Sequence, residues 1–186
     1  MKYPAKLQTR RLQLEPITAA HSEELCELFS DAKLHEFVPF EVPSLVQQQE
    51  RCARWAKGAS PDGTELWFNW AGRDKETGKV VAHFQAGVKA SDDKIASIGY
   101  VVGINFQRRG IASEGLSAIF EFLKNSYSIR EVRAWSDTRN VASHRLAEKL
   151  GMKQVEVIKN ADFFKGQSSD EFVYSLSLIN DSRGTK

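Results

Sequence analysis

Gln107, Arg108, Arg109, Gly110, Ile111, Ala112 and Ser113 bring a glycine, two cations and small residues together just before a strongly periodic apolar run. A helix starting there would present unpaired backbone N–H groups and a partial positive charge, a combination that binds anions. Gly110 would let the backbone approach a phosphate closely, Ala112 would leave room at the first turn, and Arg108 and Arg109 would add charge. Taken alone, the segment reads equally well as a solvated basic loop in which the glycine serves only the turn. Farther on, Asn140 and Ser143 stand at the head of a second helical pattern, an amide and a hydroxyl one turn apart.

The elements that would position these groups follow from periodicity. Residues 10–16 alternate polar and apolar and end at Pro16, as a half-buried first strand should. Thr18 offers a cap to a helix carrying Leu25, Leu28 and Phe29 on one face, and Ser44 with Gln47 forms a capping box for another that Gly58 would end. The irregular stretch between them holds Phe37, Val38, Pro39, Phe40 and Pro43, read first as core filling and second as the wall of a substrate pocket. Turn residues at 74–78 and 91–94 divide an antiparallel meander of strands at 66–72, 79–89 and 95–102. A loop over 103–109 leads into a helix with the stripe Leu116, Ile119, Phe120 and Leu123, then a strand at 130–135. That strand–helix–strand unit predicts a parallel, right-handed crossover. A short helix at 141–150, closing strands at 152–159 and 171–178, and a loose tail at 180–186 complete the chain.

Gln107-x-x-Gly110-x-Ala112, placed after Ile98-Gly99-Tyr100-Val101-Val102 and before an amphipathic helix, resembles the GNAT acetyltransferase superfamily. Asn140-x-x-Ser143 and Leu146-x-x-Lys149-Leu150-Gly151-Met152 are similar to that family's second cofactor segment. The opening at 7–16 resembles its RimJ/RimL-like branch, and Asp170-x-x-x-Tyr174-x-Leu176 resembles that branch's close. The likeness implies an α/β fold of α+β type, with a GNAT-like mixed, mainly antiparallel sheet of about seven strands flanked by helices. It implies one domain over residues 1–186, its core at about 7–178. It also implies acetyl transfer from acetyl-coenzyme A to a primary amine, by direct attack on a thioester lodged between two splayed parallel strands. The backbone N–H of Val102 would stabilise the developing oxyanion, and Gln107, Arg108, Arg109, Gly110, Ile111, Ala112 and Ser113 would hold the pyrophosphate. Asn140 would bind the pantetheine arm.

Two departures from the family pattern matter. Many members carry a leaving-group tyrosine seven residues after this asparagine, where the present chain has Ala147, so the resemblance transfers that role to Ser143. Related chains often carry a glutamate just before Ile-Gly-Tyr, and here that residue is Ser97. Asp162, Asp170, Glu171 and His83 are the substitutes, each equally at home as an ordinary turn or strand residue. Without the usual base a low-pKa acceptor is favoured: at pH 7 roughly one in seven α-amines is neutral, against roughly one lysine in 2,500.

A net charge of +2 argues against wholesale nucleic-acid binding and leaves only the local basic cluster informative. The rival reading is a non-catalytic module on the same fold, binding coenzyme A or, through Arg108, Arg109 and Arg130, an RNA backbone. Cys26 and Cys52 read as buried free thiols rather than metal ligands, so no metal is expected. Trp55, Trp67, Trp70 and Trp135 read first as core. With no long apolar run and no signal-like start, the chain is expected to be cytoplasmic and away from membranes. Its partner is the amine acceptor, a peptide N-terminus or a small molecule, and a homodimer is compatible with the sequence without being required by it.

Overall fold

The structure, a computed structural model, describes residues 4–89 and 94–179. Eight strands form one sheet: β1 Leu7–Gln8, β2 Leu12–Pro16, β3 Glu65–Asp74, β4 Val80–Lys89, β5 Ile95–Val102, β6 Glu131–Asp137, β7 Lys153–Phe164 and β8 Gln167–Ser177. Their spatial order is β1-β2-β3-β4-β5-β6-β8-β7. Every described neighbouring pair is antiparallel except β5 and β6, which run parallel as the crossover requires. The eighth strand, beyond the expected number, is the two-residue β1, too short to leave a periodic signal. Part of the 91–94 turn and the whole 180–186 tail expected from the sequence lie outside the described residues.

Four α-helices cover the sheet: α1 Ser22–Leu28, α2 Leu45–Trp55, α3 Ile111–Tyr127 and α4 Val141–Lys149. The capping box of α2 forms, Gln47 N donating to Ser44 Oγ at 3.3 Å and Ser44 N to Gln47 Oε1 at 2.9 Å. Thr18 instead stands before a short 3₁₀ turn, Ala19–His21, and α1 starts only at Ser22. Period-two alternation divides the side chains between two apolar layers. Leu12, Leu14, Phe84, Ile98 and Val132 join the stripe Leu116, Ile119, Phe120 and Leu123 under α3, whereas Ile17, Leu25, Phe29, Cys52 and Ala71 pack with α1 and α2 on the other face. Cys52 is buried as expected, but Cys26 is only half-buried and reaches the carbonyl of Pro43. Gly115 sets the height of α3 over the sheet, because a Cβ there would lie 2.2 Å from Cζ of Phe84.

On the opposite face Arg73 ties β3 to two other elements, donating to Glu15 Oε2 at 3.0 Å and Glu24 Oε1 at 2.6 Å. Burial alone would raise the Glu15 pKa, but hydrogen bonds from Arg73, His21 and Gln13 override it and hold the carboxyl at about 2 instead of 4.5. A carboxylate depressed in this way stabilises the fold fully above its unfolded pKa and loses that contribution as pH falls through the folded value. Arg73→Met should therefore cost about 2 kcal/mol in urea unfolding at pH 7, the scale of hydrogen bonds to charged groups. The deficit should shrink as pH drops from 4.5 toward 2. A deficit that is constant across that range would mean that Arg73 acts through packing alone.

Candidate active site

β5 and β6 pair only from Ile95–Glu131 to Ser97–Arg133. Beyond that point β5 stays on β4 up to Val102 and β6 stays on β8 up to Asp137, so the two parallel strands part within the sheet. The gap opens into a cavity of about 800 Å³. Its lips are Ile98–Val101 and Ala134–Asp137, and Asn140, Ser143 and Leu146 of the α4 segment form one wall. Gly103 N donates to Val81 O at 2.9 Å, so alternation along the strand turns the Val102 N–H away from β4 and toward the gap. The Val102 carbonyl is already taken, accepting from Gln107 Nε2 at 3.0 Å. Gln107 thus fixes the loop to the strand end.

The loop enters α3 through Arg108 at φ 59° and Gly110 at φ 81°. Gly110 is the N-cap, in the left-handed region that favours glycine. Helix α3 accordingly starts at Ile111, after the glycine rather than at Gln107. Among the described residues the backbone N–H groups of Arg108, Arg109, Gly110, Ile111, Ala112 and Ser113 meet no backbone or side-chain acceptor. A helix N-terminus left this way is suited to an anion. Arg11 braces it in a way the sequence did not disclose. Its Nε donates to Glu114 Oε2 and its Nη1 to Arg109 O, both at 2.7 Å, while Thr9 Oγ1 donates to Glu114 Oε1 at 2.6 Å. More than a hundred positions separate Glu114 from these partners, so only a carboxylate in the first helical turn hinted at the brace. Arg130, by contrast, precedes β6 at the opposite end of the parallel pair from Arg108 and Arg109, so these arginines form no common patch.

Asn140 N-caps α4, its Oδ1 accepting from Ser143 N at 3.1 Å. Ser143 Oγ accepts from Tyr100 Oη at 3.1 Å, which leaves the serine's own proton free to point elsewhere. Burial raises the Tyr100 pKa despite that bond, so the phenol stays protonated and keeps donating. Ser143 and Tyr100 lie on the α3/α4 side of the gap.

The other mouth of the gap lies under α1 and α2. There Phe37, Val38, Pro39 and Phe40 line the cavity, with Phe40 59% exposed, so these four are pocket wall and not core filling, whereas Pro43 is buried outside it. Of the tryptophans only Trp70 is core; Trp55, Trp67 and Trp135 face the cavity. Trp55 stacks on His83 with ring centroids 4.5 Å apart, and His83 Nε2 meets Asn69 Oδ1 at 3.1 Å. Burial, aided by the charge of Arg51, pushes the His83 pKa down to about 3, which keeps the imidazole neutral but makes it a poor base. Asp170 is engaged by Lys159 Nζ at 2.7 Å and Asn160 N at 2.9 Å. Asp162 lines the cavity but is exposed. Glu171 differs from these. It lines the cavity from β8 opposite Asp137, and burial, then the charges of Asp162 and Asp137, raise its pKa. Asp137 itself is committed, because hydrogen bonds from Arg139 and Ser169 outweigh burial and hold it at about 2. Ser97, where related chains often have glutamate, donates to Gly87 O at 3.3 Å. Among the described residues, no group of His, Cys, Asp and Glu could hold a metal ion, and no helix is long and apolar enough to cross a membrane.

Two parallel strands thus part beside the N-terminus of a helix. Residues 11–153 match the family described as acetyltransferase (GNAT) domain, and the chain belongs to it; it is an acyltransferase enzyme. An uncharacterized N-acetyltransferase, p20, from Bacillus licheniformis is 23% identical over 170 residues, covering 91% of this chain and 94% of its own. The solved RimL ribosomal L7/L12 alpha-N-protein acetyltransferase, in complex with coenzyme A, superposes with a TM-score of 0.82 at 18% identity, covering 93% of this chain and 98% of its own. The ribosomal-protein-S5-alanine acetyltransferase from Vibrio fischeri gives 0.81 at 15% identity, covering 98% and 100%.

Proposed function

We propose that the chain transfers the acetyl group of acetyl-coenzyme A to a primary amine, in the manner of the RimJ/RimL-like branch. The observation that carries this reading is the gap between β5 and β6, flanked by the unpaired amides of Arg108–Ser113 on one side and by Glu171 on the other. Those amides, with Arg108 and Arg109, would hold the donor's pyrophosphate. Asn140 would contact the pantetheine arm, and the Val102 N–H would stabilise charge developing on the thioester oxygen. Glu171 would take a proton from the attacking amine, directly or through water. The new C–N bond forms as C–S breaks, and Ser143 would protonate the departing thiolate while Tyr100 keeps its hydroxyl oriented.

RimL, named for α-N-acetylation of a ribosomal protein, supports a protein N-terminus as the acceptor type. So does Ser97 in place of a second carboxylate, since an α-amine needs less help from a base. Mass spectrometry of the products formed from peptides and small amines, with coenzyme A release as the rate, tests this directly. A clear preference for lysine side chains at pH 7 would contradict the α-amine reading.

Ser143→Ala removes a hydroxyl but little volume. We expect nearly unchanged acetyl-coenzyme A affinity and kcat lower by roughly 10–100-fold, modest because a thiolate is already a fair leaving group. A donor with a more acidic leaving thiol should restore part of the rate in the variant and gain less in the parent. Full kcat in the variant would show that Ser143 is structural.

A further inference from the structure

We propose that the acceptor carries an anionic group, a carboxylate or phosphate, roughly 7–10 Å from its amine, and that Arg51 and Arg54 of α2 receive it. This inference rests on the acetyl-transfer reading and names the class of acceptor. Arg51 and Arg54 are one helical turn apart and both line the cavity. Among the described residues neither has a carboxylate within ion-pair distance. Arg51 is half-buried, its guanidinium 5.6 Å from the centroid of Phe40, and its charge is felt by His83 on the cavity floor. A guanidinium held against an aromatic face and left without a counter-ion is suited to bidentate capture of a carboxylate or phosphate.

The register supplies the spacing. His83 pairs with Val101, and Asp137 pairs with Glu171. His83 and Val101 thus stand on one side of the gap and Asp137 and Glu171 on the other, and all four line the cavity. An amine attacking between Val101 and Asp137 lies one strand spacing plus half of the widened gap, at least about 7 Å, from His83, the residue that feels the charge of Arg51. Glu171 lines the cavity from β8 and the guanidinium groups of Arg51 and Arg54 line it from α2, while the other carboxylate on the β3 side, Glu65, is engaged by Trp67 Nε1 at 2.8 Å. A free α-amino acid is too short to bridge this distance. An extended peptide with an acidic residue at position 2 or 3 spans it, at about 3.4 Å per residue, as does a small amine bearing a phosphate.

The test is kcat/KM for acetylation of Ser-Ala-Ala-Ala-Ala and its variants carrying Asp, phosphoserine or Lys at position 2 or 3, together with phosphate-bearing small amines. An anion at the favoured position should raise kcat/KM at least about 10-fold over alanine, and lysine should lower it. The carboxylate and phosphate arms identify the source of the anion. Arg51→Gln and Arg54→Gln, checked for unchanged thermal unfolding, should collapse the anion-to-neutral ratio toward one, and Arg51→Glu should shift preference toward the lysine peptide. Equal rates for anionic and neutral acceptors, or a preference untouched by all three variants, would overturn the anion site while leaving acetyl transfer standing. Failure to acetylate any amine would overturn both.

Discussion

Gly110→Glu is expected to fold and to lose at least about 100-fold in affinity for acetyl-coenzyme A, roughly 3 kcal/mol of binding. Two effects combine. Gly110 sits at φ 81°, so any side chain there carries left-handed strain of about 1–2 kcal/mol. The added carboxylate would also stand among the amides and arginines proposed to hold the pyrophosphate, and a Cβ at this position would already lie 3.3 Å from Nη2 of Arg11. Gly110→Asn and Gly110→Asp separate the two effects, because asparagine and aspartate share shape and tolerance of this backbone region but differ in charge. Titration calorimetry should show Asn weakened little and Asp weakened nearly as much as Glu. Equal affinities for Asn and Asp would remove the electrostatic part of the argument, and parental affinity in a folded Gly110→Glu would place the phosphates elsewhere.

Glu171→Gln should lower kcat by roughly 100–1,000-fold at pH 7 while changing acetyl-coenzyme A affinity little, the scale of losing a positioned base. The pH profile distinguishes a base from a mere anion. Burial and the neighbouring Asp162 and Asp137 raise the Glu171 pKa, so the parent should lose activity on the acid side at a pH above the ordinary carboxylate range. As pH rises through the acceptor's own pKa the free amine no longer needs the carboxylate, and the gap between variant and parent should close. A gap that stays constant up to pH 10 would assign Glu171 to substrate binding.

Several of these features are legible in the residues themselves. Gly110 with its flanking arginines, the Ser44–Gln47 capping box and the turn residues at 74–78 all act locally, through backbone conformation and hydrogen bonds a few positions apart, and each signals its structure in the chain. Where β5 and β6 part is not local. Ile98 is a stronger strand former than Ser97, yet pairing with β6 stops between them because β6 follows β8 instead. The pocket wall is likewise set by packing. Trp67 and Trp70 belong to the same strand, one facing the cavity and the other wholly buried, and only the packing of α2 and α3 on opposite faces decides which is which. Likewise Glu171 could be singled out from Asp162, Asp170 and His83 only once burial and partners were known.

If the donor binds at the α3 N-terminus and the neighbouring β5 end, backbone amide resonances report on it most directly. On titration with acetyl-coenzyme A, the amide signals of Arg109, Gly110, Ile111, Ala112, Ser113 and Val102 should shift and saturate together at one ligand per chain, with those of Arg130 and its neighbours unmoved. Saturable binding that leaves the Arg109–Ser113 amides in place and moves another set would contradict it.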